Sequence, residues 1–129
     1  MTQKESILHW RQGAQDAMEA AELLQRAGKH ALALFHCHLA AEKSLKAEYI
    51  REKDDAPPKT HVLLEIALAL SCPWTDREKE QLNQLSLFAV AARYDELDEK
   101  QAGELEESVQ WWIDETKKIF AHFTDDHKE

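Results

Sequence analysis

The chain has 129 residues, 43% hydrophobic and 32% charged, with only 3 Gly, 3 Pro and 2 Cys. That length supports one hydrophobic core and no second one, so residues 1–129 read as a single domain that folds without a metal or a disulfide staple. The formal charge is −9, and its excess lies at one end: residues 95–129 carry 12 acidic and 4 basic side chains, against 13 and 12 in residues 1–94. Such a field repels phosphate backbones, which disfavours broad RNA or DNA binding.

No run of about 18 apolar residues occurs, which excludes a membrane-spanning helix, and the opening Met-Thr-Gln-Lys-Glu-Ser is too polar for a signal peptide. A soluble cytoplasmic protein is expected. Cys37 and Cys72 match no zinc spacing and read as two reduced thiols.

Apolar residues recur at spacings of three and four throughout, the pattern of an all-α helical bundle. Thr2 and Glu5 have the capping-box spacing that starts a first helix, with a core stripe of Trp10, Ala14, Ala17, Ala21 and Leu24 and Gly28 at its end. A second helix from about Lys29 to Arg51 carries small residues at Ala33, Cys37, Ala40, Ser44 and Ala47, a stripe that lets another helix approach closely. The short turn between the two predicts an antiparallel hairpin.

The stretch 52–59 holds two prolines and reads as an exposed loop. Thr60 is expected to cap a third helix through Val62, Leu63, Ile66, Leu68 and Leu70. Apolar on most sides, it is expected to be the most buried element. Pro73 stops it, and Thr75 with Glu78 repeats the capping-box spacing before a fourth helix carrying Leu82, Leu85, Phe88 and Ala89. A final helix is predicted from about Gln101 to Phe123, with the stripe Leu105, Val109, Trp112, Thr116, Ile119 and Phe123, and a frayed tail after it. Trp111 and Trp112 diverge on a helix, so the outer one is a candidate contact for a second subunit.

The residues that do not fit an apolar face are the informative ones. His38, Glu42 and Lys46 recur every four residues in a row beside Phe35, Leu39, Leu45 and Tyr49, so charged groups lie on or next to a packing face. A buried charge needs a partner. The expectation is that Glu42 and Lys46 border a cavity left open for a ligand and are not neutralised by each other.

His36, Cys37 and His38 do not make a metal site, because residues two apart on a helix point roughly 200° from one another. His38 and Glu42 share a face but supply only two ligands, which favours a hydrogen-bonded pair; no metal and no cofactor is expected. His61, beside Lys59 and Thr60 at a helix start, is a candidate acid or base. Arg93 and Tyr94 close the fourth helix and suit a nucleotide, by charge and by stacking.

Trp10, Ala14, Asp16, Ala20, Leu23, Gly28, Ala33 and Phe35, then Ala40-Ala41-Glu42-Lys43 with Lys46-Ala47, then Thr60-His61 and Arg93-Tyr94, resemble the small stand-alone HEPN domains (higher eukaryotes and prokaryotes nucleotide-binding). The resemblance runs from Trp10 to about Phe123. It implies an up-and-down bundle of four long helices with a short additional helix, a homodimer, and a gene neighbour encoding a minimal nucleotidyltransferase in a toxin-antitoxin-like pair.

Many members of that family are RNases with Arg followed, after four to six residues, by His. Here the corresponding positions after Arg93 hold Asp98, Glu99 and Lys100. RNA cleavage without a metal needs one group to take a proton and another to give one, and acidic residues at that place repel phosphate instead. The reading therefore leans away from an enzyme. It is a binding module for a nucleotide such as ATP or GTP, or for a nucleotidyltransferase partner, with Glu42, Lys43, Lys46, His61, Arg93 and Tyr94 around the site; Lys46 and Arg93 meet phosphate and Tyr94 a base. The alternatives are an RNase toxin using His61 with Arg93, and a structural dimer without a ligand.

Overall fold

The computed structural model describes residues 1–94 and 96–124. All regular structure among them is helical: α1 (Gln3–Arg26), α2 (His30–Lys53), α3 (Leu63–Leu68), α4 (Asp76–Arg93), α5 (Glu99–Gly103) and α6 (Val109–Thr124). Four helices are long and two are short, one short helix more than expected. No helix is long and apolar enough to cross a membrane among the described residues. The predicted frayed tail lies outside them.

Local signals fix the helix ends. The Thr2 hydroxyl accepts from the Glu5 N–H at 3.1 Å, and the Glu5 carboxylate accepts from the Thr2 N–H at 3.3 Å. At the other end Gly28 takes φ 77°, a left-handed conformation open to glycine at no steric cost. Its N–H and that of Lys29 then reach the carbonyls of Gln25 (3.0 Å) and Leu24 (2.8 Å), closing α1 with a Schellman motif. The Gln3 side chain donates to the Ile50 carbonyl at 3.1 Å, which ties the start of α1 to the end of α2 and makes the pair antiparallel.

The most enclosed element is α2 and not the third helix. It packs against α1, α3, α4, α5 and α6, and 14 of its 24 residues are buried, including His38, Glu42, Lys46 and Glu48. A helix surrounded in this way has no wholly polar face, so its few charges are carried inside. The small-residue stripe from Ala33 to Ala47 is consumed within the chain, every member being buried, and is not a free seam.

Corrections fall where packing decides. Only six residues of the third helix are helical; Leu63, Ile66 and Ala67 are buried while Leu68 is exposed. Thr60 does not cap it: its hydroxyl accepts from the Val62 N–H at 3.1 Å, whereas the first helical N–H, of Leu63, donates to the Ser86 hydroxyl of α4 at 3.1 Å. The Trp74 indole N–H takes the Ala67 carbonyl at 2.9 Å where the helix ends.

The predicted last helix is broken in two. Gly103, a weak helix former, is followed by the acidic Glu104, Glu106 and Glu107, whose mutual repulsion disfavours continuation. Ser108 restarts the chain, its hydroxyl accepting from the Trp111 N–H at 3.0 Å. Trp112 is buried edge-on to Phe88, with ring centres 5.2 Å apart. Trp111 is half-buried, with the Arg77 guanidinium 6.0 Å from its ring.

Candidate functional site

Two helices and one extended segment converge on a cavity of about 140 Å³. From α2 come Phe35, His38, Leu39 and Glu42; from α4 come Ser86, Ala89, Val90 and Arg93; His61 and Val62, just before α3, close the gap between them. The four-residue spacing on α2 stacks His38 and Glu42 on one side of the helix, and Ser86 and Arg93 lie two turns apart on α4.

Glu42 is the electrostatic centre. One carboxylate oxygen accepts from the Lys46 ammonium at 3.1 Å and the other from His61 Nδ1 at 3.0 Å. Lys46 is only 8% exposed in its side chain, and its ammonium also lies 5.5 Å from the Trp10 ring. Its long stem carries the charge towards Glu42 and Trp10, so it does not line the cavity. The expectation that both ionic groups are left for a guest therefore fails at Lys46, which is spent compensating Glu42. Glu42 alone faces the opening.

His61 is different. Its Nδ1 is held by Glu42 while 72% of its side chain is exposed, so Nε2 is left bare on a carboxylate-oriented imidazole. His38 is buried and uses Nε2 on the His61 backbone carbonyl, 2.8 Å away. Burial pushes its pKa below 6.5, the charges of His61 and Arg93 push the same way, and the bond to the His61 carbonyl and the Glu42 charge oppose them. The ring is therefore neutral, with the proton on Nε2 and a lone pair on Nδ1. That Nδ1 is buried and has no hydrogen-bond partner.

The remaining sequence-stated residues lie elsewhere. Lys43 turns towards α1, packing its stem against Gly13 beside a separate surface hollow shared with His9 and Asp16. Tyr94, the C-cap of α4, is exposed and does not line the cavity. Asp98 and Glu99, where the nuclease histidine of the resembled family would fall, act as helix caps: Asp98 accepts from the Gln101 N–H at 2.8 Å, and Glu99 from the Ala31 N–H at the start of α2 at 2.6 Å. Ser86, which completes the cavity, escapes sequence reading, because a serine between Leu85 and Leu87 breaks no helical pattern.

The model of the HEPN domain family matches residues 7–124. The chain belongs to the HEPN family. No curated protein and no solved structure gives a significant match. In this HEPN chain the arrangement offers a guest three kinds of contact: an apolar wall from Phe35, Leu39 and Val90, a carboxylate acceptor at Glu42, and a cationic rim at Arg93. The described residues hold no group of three or more His, Cys, Asp or Glu suited to a metal ion.

Proposed function

We propose that this HEPN chain is a noncatalytic nucleotide-binding module in which the cavity takes the edge of the base and Arg93 meets phosphate at the rim. The observation that carries this reading is the cavity itself, largely apolar in its walls and bordered by Glu42, His61 and Arg93. Glu42 lines it as a carboxylate acceptor, and a base presents N–H donors on its edge. The size agrees, since an apolar cavity of about 150 Å³ holds one benzene ring and a whole nucleotide needs more. A phosphate inside would meet Glu42, so it belongs outside. This revises the sequence-based assignment, in which Lys46 met phosphate and Tyr94 the base; Tyr94 remains available beyond the rim.

Membership of the family supports the further reading that the chain works as a homodimer beside a minimal nucleotidyltransferase in a toxin-antitoxin-like pair. Co-expression and co-purification with such a partner is the test.

Melting curves with millimolar ATP and GTP test the nucleotide reading. A binder of the folded state raises the melting temperature, by about 2.7 kcal/mol of added stability at a hundredfold excess over Kd, and Arg93→Ala should abolish the shift in a protein that still melts cooperatively. No shift with either nucleotide refutes the reading and favours the structural dimer without a ligand.

One observation favours a second reading. His61, oriented by Glu42, exposed, and sharing the cavity with Arg93, has the base-and-orienter geometry of general acid-base catalysis. The RNase alternative requires RNA cleavage that His61→Ala removes.

A further inference from the structure

A second cluster of reactive groups lies away from that cavity, between the α3–α4 turn and α6. The Cys72 sulfur is 3.6 Å from His122 Nδ1, and His122 Nε2 is 2.5 Å from a Glu78 oxygen. Each contact fixes the next. Glu78 is anchored twice at the start of α4, where its other oxygen accepts from the Thr75 N–H at 2.9 Å and its own N–H donates to the Thr75 hydroxyl. A carboxylate accepts, so Nε2 carries the imidazole proton and Nδ1 turns a lone pair towards the thiol. The Trp74 ring stands edge-on to His122 with centres 5.0 Å apart, and its indole N–H is held by Ala67, so the imidazole is braced as well as hydrogen-bonded. Thiol, base and orienting carboxylate thus stand in the order that activates a nucleophile.

We propose that Cys72, His122 and Glu78 form a thiol-exchange site that accepts a small cationic disulfide from solution. The Cys72 S–H gives its proton to His122 Nδ1 as the sulfur attacks one sulfur of the reagent. The reagent's S–S bond breaks, the departing sulfur takes the bonding pair and then the proton from His122, and the products are a mixed disulfide on Cys72 and one free thiol. Cys72 is oxidised and half of the reagent is reduced. Glu78 is a positioning residue; His122 moves the proton.

The preference for positive charge follows from the surroundings. Glu78, Glu52 and Glu48 all bear on Cys72, and together with burial, the largest cause, they hold its thiol above the ordinary value. Glu52 is fixed nearby by the Ser71 N–H at 2.9 Å, and Glu48 is paired with Arg51. The resting form is therefore the thiol, which makes a neighbouring base necessary, and an anionic reagent is repelled. Cys37 serves as the internal reference, buried and with its thiol pushed up to about 12.

The folded full chain is treated at neutral pH with cystamine, a dication, or with glutathione disulfide, an anion, and modification of the Cys72 and Cys37 peptides is followed by mass spectrometry. Free cysteine normalises the two reagents. Cys72 should react with cystamine in clear preference to glutathione disulfide while Cys37 stays unmodified, and His122→Gln should slow Cys72 by about tenfold or more. Glu78→Gln preserves the capping box, so the fold is retained, and should also slow the reaction. Wild-type rates in His122→Gln and Glu78→Gln would overturn the site, and equal normalised rates for the two reagents would overturn the charge preference.

Discussion

Glu42 on α2 and Glu115 on α6 are both buried carboxylates, 7% and 8% exposed in their side chains, yet they have different surroundings. Glu115 is met by Gln81 at 2.9 Å, by Arg77 at 3.4 Å and by Lys118 at 2.7 Å, and both cations reach in from the solvent, 72% and 76% exposed. Glu42 is met by an enclosed lysine and by a histidine at the edge of a cavity, with an unsatisfied imidazole nitrogen beside it. A buried charge is therefore not itself the mark of a site. What separates the two is the kind of partner: solvent-borne cations at Glu115, an enclosed lysine and a cavity-edge histidine at Glu42.

The comparison is broken most severely at Lys46. Lys46→Ala leaves Glu42 enclosed with only His61, and removal of one member of a buried pair costs about 3–5 kcal/mol; a fall in the urea midpoint at constant m-value measures it. Neutralising the carboxylate on α6 should be milder, because the cations it leaves behind are already exposed and water solvates them. Glu115→Gln should cost about 1 kcal/mol at neutral pH.

That second cost carries a pH signature. Burial alone would raise the Glu115 pKa, but Lys118, Gln81 and Arg77 outweigh it and hold the carboxyl below its ordinary 4.5. A folded value below the unfolded one means stability that is present above 4.5 and lost as acid titrates the folded carboxyl. Urea midpoints of the wild type should therefore fall below about pH 4.5, and the gap to Glu115→Gln should close there.

Ser86→Ala should cost a further, comparable amount, about 0.5–2 kcal/mol, by uncapping α3, and amide exchange at Leu63 should report it. Smallest of all is Lys43→Ala. With its stem on Gly13 and its head away from the cavity, it should leave any ATP or GTP melting shift unchanged, and a lost shift would move the site to the α1 side.

The sequence reached what depends on near neighbours. Thr2 with Glu5, Thr75 with Glu78, and Gly28 each signal a helix end within four residues, and each takes the expected conformation. The break at Glu104 to Glu107 has a local cause too, yet the apolar stripe across it overrode that signal. Enclosure of α2 was hidden because it depends on five other helices, and Ser86 was hidden because its partner, Leu63, lies 23 residues away. The row His38, Glu42 and Lys46 was visible as an anomaly. Which of its members would face a void was not, since a lysine stem long enough to reach either a guest or Glu42 leaves that choice to packing.

The Glu99 contact has a consequence for the history open to this chain. The carboxylate stands at one of the three spacings after Arg93 that the resembled nuclease motif allows for its histidine, and it fastens the first turn of α2 across 68 residues of sequence. Installing histidine there would release that clasp, so such an exchange would first require a new anchor for the central helix.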